Sequence, residues 1–400
     1  MARPTVTEIT ENYTKRPVWA EIDLDRAAEN MREIRRITGK DRLVTAVVKA
    51  DAYGHGAVML SKVFLQNGAD RLAVSSLDEG TELRRAKKTA PLLILGHTGG
   101  GRGEELLDND IEPAVFAYRD AEMFSRKAVE TGREVKIHIA ADTGMCRIGY
   151  VPSPEAIEEV KKIAALPGIA MQGIFTHFSE ADIADKEWAH EQHRRFSDFI
   201  DALKEAGVTF NIHHCCNSAG TLELPDFHRE MIRPGIIQYG YDASKEVLVT
   251  GTKIKPVMSL RCCITHLKTI YEGDCVGYGR HFTATGPTKI ATLPIGYADG
   301  YNRALSSKID VIVHGVRAHQ VGNICMDQCM IDVSHIPDVK VGDEVVLFGE
   351  QGSECVSADE IADTCHTIIH EITCNINRRV PRIYVQNGKI VQRLEYLTQS

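Results

Sequence analysis

Lys49 stands where covalent chemistry could begin. It closes the apolar, β-branched run Thr45-Ala46-Val47-Val48, and Ala50-Asp51-Ala52-Tyr53-Gly54-His55-Gly56 follows it. The run reads as a buried strand, and the two glycines as a tight loop. Apolar neighbours on one side and a close loop on the other strip water from the amine. Desolvation disfavours the ammonium form and lowers the amine's pKa. Only a neutral amine attacks a carbonyl, so Lys49 has what a Schiff-base lysine requires. A surface lysine capping a strand is the commoner use of such a position, and the other motifs weigh against it.

Those motifs are cationic, phenolic and phosphate-friendly. Asn217 and Ser218 open the turn NSAG, and Arg233-Pro234-Gly235-Ile236 precedes a second apolar run. The Ser218 hydroxyl and the Gly235 and Ile236 N–H groups, together with Tyr53, could hold a phosphate without a Walker motif. Ordinary turn chemistry explains NSAG equally well when it is taken alone. A desolvated lysine beside a phosphate cradle suits an aldehyde-bearing cofactor with a phosphate handle, and pyridoxal 5'-phosphate is the obvious candidate. His177, in GIFTHFSEAD, presents a flat ring that could stack on a pyridine, or simply bond within the core. Arg233 is always protonated, so facing a pyridine nitrogen it would keep that nitrogen unprotonated and weaken the electron sink. Tyr278 lies between glycines in VGYGR, where a neighbouring guanidinium would help the phenol act as a base. PIGYADGY at 294–301 and VGNICMDQ at 321–328 suit no regular strand throughout and read as loops with a task.

The elements that must position these residues follow from the apolar pattern. Short apolar runs at 45–48, 72–75, 92–95, 113–116, 135–140, 171–175, 210–213 and 232–238 alternate with helix-compatible stretches such as 78–87, 118–130, 154–164 and 186–206. That is the pattern of an α/β protein with a (β/α)8 TIM-type barrel, whose catalytic groups sit at the C-terminal ends of the strands. Lys49, His177 and Ser218 fall at or just beyond such ends, while Arg233 lies where the last run begins. A strand at 18–24 precedes the pattern, with Asp25 as the expected cap of the next helix. Beyond about residue 241, short strand-like runs separated by Gly, Asp and Pro predict a mostly β C-terminal domain, with one helix over 357–377. The expected organisation is an N-terminal tail at 1–16, a cofactor-binding barrel at 17–245 and a β-rich domain at 246–400. Only the termini read as disordered.

Composition narrows the setting. The 400 residues carry a net charge of -8, against nucleic-acid or anionic-membrane partners. The first seventeen residues hold no signal-peptide core, and no stretch approaches a membrane span, so a cytoplasmic protein is expected. Eleven cysteines include two adjacent pairs but no CxxC, and no compact Cys/His cluster has zinc-ligand spacing. They read as reduced thiols, and no metal is expected.

Five motifs in order resemble the alanine racemase family: VVKADAYGHG, DTGMCRIGY from Asp142, THFSEAD from Thr176, RPGIIQYGY from Arg233, and GYADGYNR with GNICMDQ. The likeness covers about residues 17 to 385. It implies a barrel followed by a mostly β domain that the first strand joins, and a head-to-tail homodimer with its active sites at the interface. Lys49 would carry the cofactor and act as the base on one face; Tyr278 of the other subunit would act on the opposite face. Tyr53, Ser218, Gly235 and Ile236 would bind phosphate, with His177 and Asn217 also on the cofactor, and Arg233 would face the ring nitrogen. Arg147 and the backbone around Met326 would hold the substrate carboxylate, and Tyr297 would guard the entrance. The implied reaction is interconversion of L- and D-alanine.

Two departures bear on specificity. Many family members have a lysine, often carbamylated, two residues before the DTGM aspartate; here that place is Ala140. A tyrosine commonly precedes RVPR; here it is Arg378. A changed pocket wall leads to the expectation that serine or a somewhat larger amino acid competes with alanine. A barrel-type amino-acid decarboxylase, which would use a cysteine such as Cys325 opposite the lysine, is the competing enzyme class. A pyridoxal phosphate carrier is the non-enzymatic one, though carriers are usually the barrel alone.

Overall fold

A computed structural model describes residues 16–246 and 252–397, with the isolated residues 4 and 9. Apart from residues 4, 9 and 16, the expected tail at 1–16 lies outside the described residues, as does the extreme C-terminus. The chain divides into two compact units, one of residues 27–52 and 57–255, the other of residues 1–26, 53–56 and 256–400. Among the described residues no helix is long and apolar enough to cross a membrane.

The first unit is the expected barrel. After β1 (Val18–Asp23), eight parallel strands follow: β2 (Leu43–Val47), β3 (Arg71–Val74), β4 (Leu92–Ile94), β5 (Glu112–Val115), β6 (Val135–Ala140), β7 (Ile169–Phe175), β8 (Ile212–His214) and β9 (Met231–Ile232). Their order, β8-β7-β6-β5-β4-β3-β2-β9, brings the last strand beside the first, with Leu43 opposite Met231. The strands are short, and every residue of β3, β4, β5 and β9 is buried, as parallel strands covered on both faces should be. The ninth strand is only two residues long. Pro234 then removes a backbone donor, and the chain turns into a single 3-10 turn at Ile236–Tyr239.

Side chains cap several of the helices between the strands. The helices are α1 (Leu24–Thr38), α2 (Ala57–Gln66), α3 (Leu77–Arg85), α4 (Gly103–Asp108), α5 (Tyr118–Thr131), α6 (Pro154–Ala164), α7 (Glu187–Glu205) and α8 (Ser218–Glu223). Ser76 and Glu79 form a capping box on α3, and Ser153 caps α6 with proline in the first turn. The cap of α1 is Asp23 rather than Asp25. The Asp23 carboxylate accepts from the backbone N–H of Asp25 and Arg26 at 3.0 and 2.9 Å, because the helix begins two residues earlier than the pattern suggests.

The second unit is built on a sheet of β10 (Met258–Cys263), β15 (Asp310–Val313), β16 (Val316–His319), β18 (Glu344–Gln351), β20 (Arg382–Gln386) and β21 (Lys389–Leu394), with β1 between β10 and β20. The edge strand β19 (Glu354–Val356) pairs with β18. Separate from it are a three-stranded sheet of β11 (His266–Ile270), β14 (Thr288–Leu293) and β17 (Cys329–Asp332), and the hairpin β12 (Cys275–Val276) with β13 (Phe282–Thr283). The single helix expected over 357–377 is two, α9 (Ala358–Thr364) and α10 (Ile369–Cys374). The chain breaks between them at His366, whose φ of 54° ends the right-handed helix.

Candidate active site

Lys49 follows β2 after one further buried residue and is itself half-buried. What comes next is not a simple glycine loop. Ala50, Asp51, Ala52 and Tyr53 all have φ between 51° and 53°, a left-handed turn made of non-glycine residues. Each such residue costs about 1–2 kcal/mol, so the surroundings must hold the turn. Glu79 accepts the Ala50 N–H at 2.7 Å, Asp51 accepts the Ala57 N–H at 2.8 Å, and the Ala52 N–H reaches Val48 O at 2.9 Å. Gly54 and Gly56, at φ of 82° and 95°, then release the chain. The Asp51 and Glu79 contacts were not readable beforehand, since neither residue belongs to a recognisable cap of this segment.

The barrel mouth brings four of the expected residues together. Lys49, Arg147, His177 and Arg233 line one cavity of about 280 Å³, with Phe175 and Thr176 in its wall. Arg233 is buried and thoroughly anchored. Its guanidinium donates to Thr176 O at 2.8 Å, to His214 Nδ1 at 2.6 Å and to His177 Nδ1 at 3.3 Å, and it sits 5.4 Å above the Phe175 ring. Burial pushes its pKa down to about 10, which still leaves it a cation at neutral pH. The His177 ring is held well below its ordinary range by burial and then by the positive charges of Arg233, Arg147 and Lys49. The cavity therefore sets an imidazole held neutral beside the Lys49 amine and two guanidinium cations, a setting for an anionic ligand.

Arg147 is exposed at the end of the loop after β6. Asp142 fastens that loop by accepting from the Gly144 and Cys146 N–H groups, both at 3.0 Å. No carboxylate pairs with Arg147 among the described residues. Ala140 offers none, being buried in an apolar cluster with Ala114 and Phe175. Ser218 opens α8, and its hydroxyl accepts the Gly235 N–H at 2.9 Å, so the serine and the RPGI turn are one local structure. Asn217 caps the same helix, its amide oxygen accepting from Gly220 N at 3.0 Å, which engages that oxygen away from any ligand.

The remaining residues lie in the second unit. Tyr53 is buried, and burial raises its phenol pKa well above the ordinary range. Its ring packs beside His370 with centroids 5.7 Å apart, while Arg382 donates to Gly54 O at 2.9 Å. Tyr278 is 72 % exposed at the tip between β12 and β13, with Gly277 and Gly279 at φ of 71° and 77° on either side. Arg280 turns to Cys275, lowering that thiol's pKa after the larger effect of Thr283.

Tyr297 and Met326 are both exposed, and their loops are stapled together. Tyr297 N–H donates to Cys325 O at 3.1 Å and Ala298 N–H to Met326 O at 3.0 Å. A side chain on Gly296 would lie 2.2 Å from Cys325 O, so only glycine fits. Beneath them Asp299, fully buried, accepts from both Arg16 terminal nitrogens and from Gly296 N, and Arg379 pairs with Asp327 at 2.7 Å. Arg16, Asp299 and Arg379 are supports that motif reading passed over. Arg378 lines a separate cleft of about 190 Å³ with Arg16 and Tyr396.

Both parts of the chain match family models, the alanine racemase N-terminal domain over residues 22–243 and the C-terminal domain over 257–384. The chain belongs to the alanine racemase family. It is 47 % identical to alanine racemase 1 of Clostridium acetobutylicum over 96 % of this chain and 99 % of that one. It is 48 % identical to an alanine racemase of Clostridium tetani, with the same shares covered. Among solved structures it resembles an alanine racemase of Clostridium difficile, at a TM-score of 0.92 and 39 % identity over 96 % of this chain and all of that one. A histidine racemase of Leuconostoc mesenteroides is more distant, at 0.86 and 26 % over 94 % and 99 %. The expected fold and family therefore stand, and full-length likeness across both domains goes with an amino-acid racemase rather than a decarboxylase or a barrel-only carrier.

Proposed function

We propose that the chain interconverts L- and D-alanine with pyridoxal 5'-phosphate as its cofactor, as a cytoplasmic homodimer. The reading is carried by the cavity in which Lys49, Arg147, His177 and Arg233 converge at the barrel mouth. The donor set suits that cofactor: an amine for its aldehyde, a flat neutral imidazole for its ring, an anchored guanidinium for its ring nitrogen, and the Ser218–Gly235 turn, with Ile236 and Tyr53, for its phosphate. Bound there, the cofactor would supply a conjugated sink for the electrons left when the substrate's Cα–H bond breaks.

The chain's own residues do the rest. Lys49, as the neutral amine, takes or returns the proton on one face of the Cα. Tyr278 of the partner subunit does so on the other face, because inversion requires hydrogen to leave one side and return on the opposite one. Its high exposure in a single chain fits a residue that completes a neighbour's site. Arg233 stays protonated, leaves the ring nitrogen an acceptor and so moderates the sink. Arg147 and the backbone at Met326 hold the substrate carboxylate, and Tyr297 narrows the entrance. The cofactor-binding part falls within residues 17–245, less the first strand, and 246–400 holds the part that lends the phenol.

The test is optical. Purified protein should bring L-alanine and D-alanine to zero rotation, and borohydride reduction should leave the cofactor label on the Lys49 peptide. Tyr278→Phe should lose racemisation in both directions and keep the label. Full activity in Tyr278→Phe, or a label on another lysine, overturns the assignment.

A further inference from the structure

Four buried side chains lie in series behind Arg233, and the reaction above uses none of them. Arg71 on β3 pairs with Glu112 on β5. Glu112 meets His138 Nε2 on β6 at 2.9 Å, His138 Nδ1 meets His214 Nε2 on β8 at 3.0 Å, and His214 Nδ1 meets the Arg233 guanidinium at 2.6 Å. Both rings are completely buried, and Arg71 and Glu112 are 5 % and 6 % exposed.

The line has only one consistent arrangement of protons. A guanidinium has no acceptor, so His214 Nδ1 must be bare. The His214 proton then lies on Nε2 and is donated to His138 Nδ1. The His138 proton therefore lies on its own Nε2 and is donated to Glu112. A carboxylate accepts there, and Arg71 compensates its charge. Burial lowers both imidazole pKa values, more strongly for His214, so neither carries a second proton at neutral pH. Burial alone would raise the Glu112 carboxyl, but His138 and Arg71 outweigh it and hold it below its ordinary range.

The backbone makes room for this line. Gly173 on β7 faces His138, and a Cβ there would lie 2.3 Å from the ring's Nδ1. Phe175 stacks on His214 at 5.1 Å between centroids, with planes 16° apart.

We propose that Glu112 and His138 are positioning residues for Arg233, acting through His214: the carboxylate fixes both imidazole tautomers and thereby the orientation of the guanidinium. That this orientation serves a cofactor ring nitrogen rests on the proposed function; the tautomers themselves do not.

Nitrogen-15 NMR of histidine-labelled holoenzyme, assigned with His138→Gln and His214→Asn, reads the arrangement directly. Both rings are expected neutral with the proton on Nε2; a proton on Nδ1 of either ring overturns the proposal without any variant at Glu112. In Glu112→Gln, His138 should show mixed tautomers. Its kcat should fall about tenfold, the scale on which lost outer hydrogen bonds disturb an oriented group, while KM for alanine changes less. Wild-type tautomers and kcat in Glu112→Gln, with only a lower melting temperature, would mean a purely structural role and overturn it. Wild-type protein with the expected tautomers but no racemisation counts against the proposed function and supports the positioning arrangement.

Discussion

Gly173→Ala tests the packing on which the barrel's polar line depends. The glycine sits within β7 at a negative φ, so alanine is acceptable to the backbone there. Removing a glycine stabilises by about 0.4–1 kcal/mol through the unfolded chain. The added Cβ would nevertheless lie 2.3 Å from His138 Nδ1 and 3.0 Å from Ile212 O. His138 cannot yield easily, being held at both nitrogens at 2.9 and 3.0 Å, and Ile212 belongs to the neighbouring strand. Overpacking of this kind costs about 1–3 kcal/mol, and displacing the ring forfeits a buried hydrogen bond at about 1 kcal/mol. The net expectation is a loss of about 2 kcal/mol. At about 2–4 °C per kcal/mol for a unit of this size, the melting temperature should drop by about 4–8 °C. Differential scanning calorimetry of the purified protein, with kcat measured at a temperature where the variant is folded, checks both the loss and its effect on the site. A melting temperature within about 1 °C of wild type, with kcat unchanged, would refute the reasoning.

Other outcomes follow from the same structure. Arg16→Met leaves the fully buried Asp299 with only Arg379, at 3.5 Å, as a cationic partner and should cost about 2 kcal/mol in urea unfolding; a loss under about 1 kcal/mol would show the pair to be dispensable. His138, His177 and His214 are held neutral in the fold with pKa values below the ordinary value near 6.5. The unfolded chain therefore binds more protons below that pH, and stability should fall as pH drops from 6.5 to 5, by more than about 1.4 kcal/mol per pH unit; a flat stability profile over that window contradicts the neutral-imidazole arrangement. Ala140 gives Arg147 no side-chain support, so the substrate carboxylate should be held more loosely and selectivity should relax. The ratio of kcat/KM for L-alanine over L-serine is expected below about 100, within the range one small group in a pocket discriminates, and initial-rate polarimetry with each amino acid measures it.

The barrel was readable because its strands are short apolar runs bounded by helix-compatible segments, and α6 begins and ends where proline and the apolar period say it should. The second unit was less readable. The strand β16, VRAH, is only four residues long and buries Ala318 alone, and β20 with β21 lies beyond a helix pair that the pattern merges into one. The break at His366 is weakly marked in sequence, since no glycine, asparagine or proline stands there. The same holds for the left-handed turn after Lys49. Its alanines are poor choices for that conformation, and partners such as Glu79, Asp51 and the Val48 carbonyl help to hold it.

Residue type and spacing by themselves determined which groups could act. Lysine at a strand end, arginine before a proline, and tyrosine between glycines each imply a chemistry that depends on the side chain and its immediate neighbours. Only the tertiary structure decided which of them share a cavity, that Asp299 lies buried under two loops, and that Glu112, His138 and His214 form one line to Arg233. Those relations join strands far apart in the chain. Burial removes the water that would otherwise satisfy each polar atom, so its partner has to come from another strand, and a one-dimensional pattern carries no record of which strand that is.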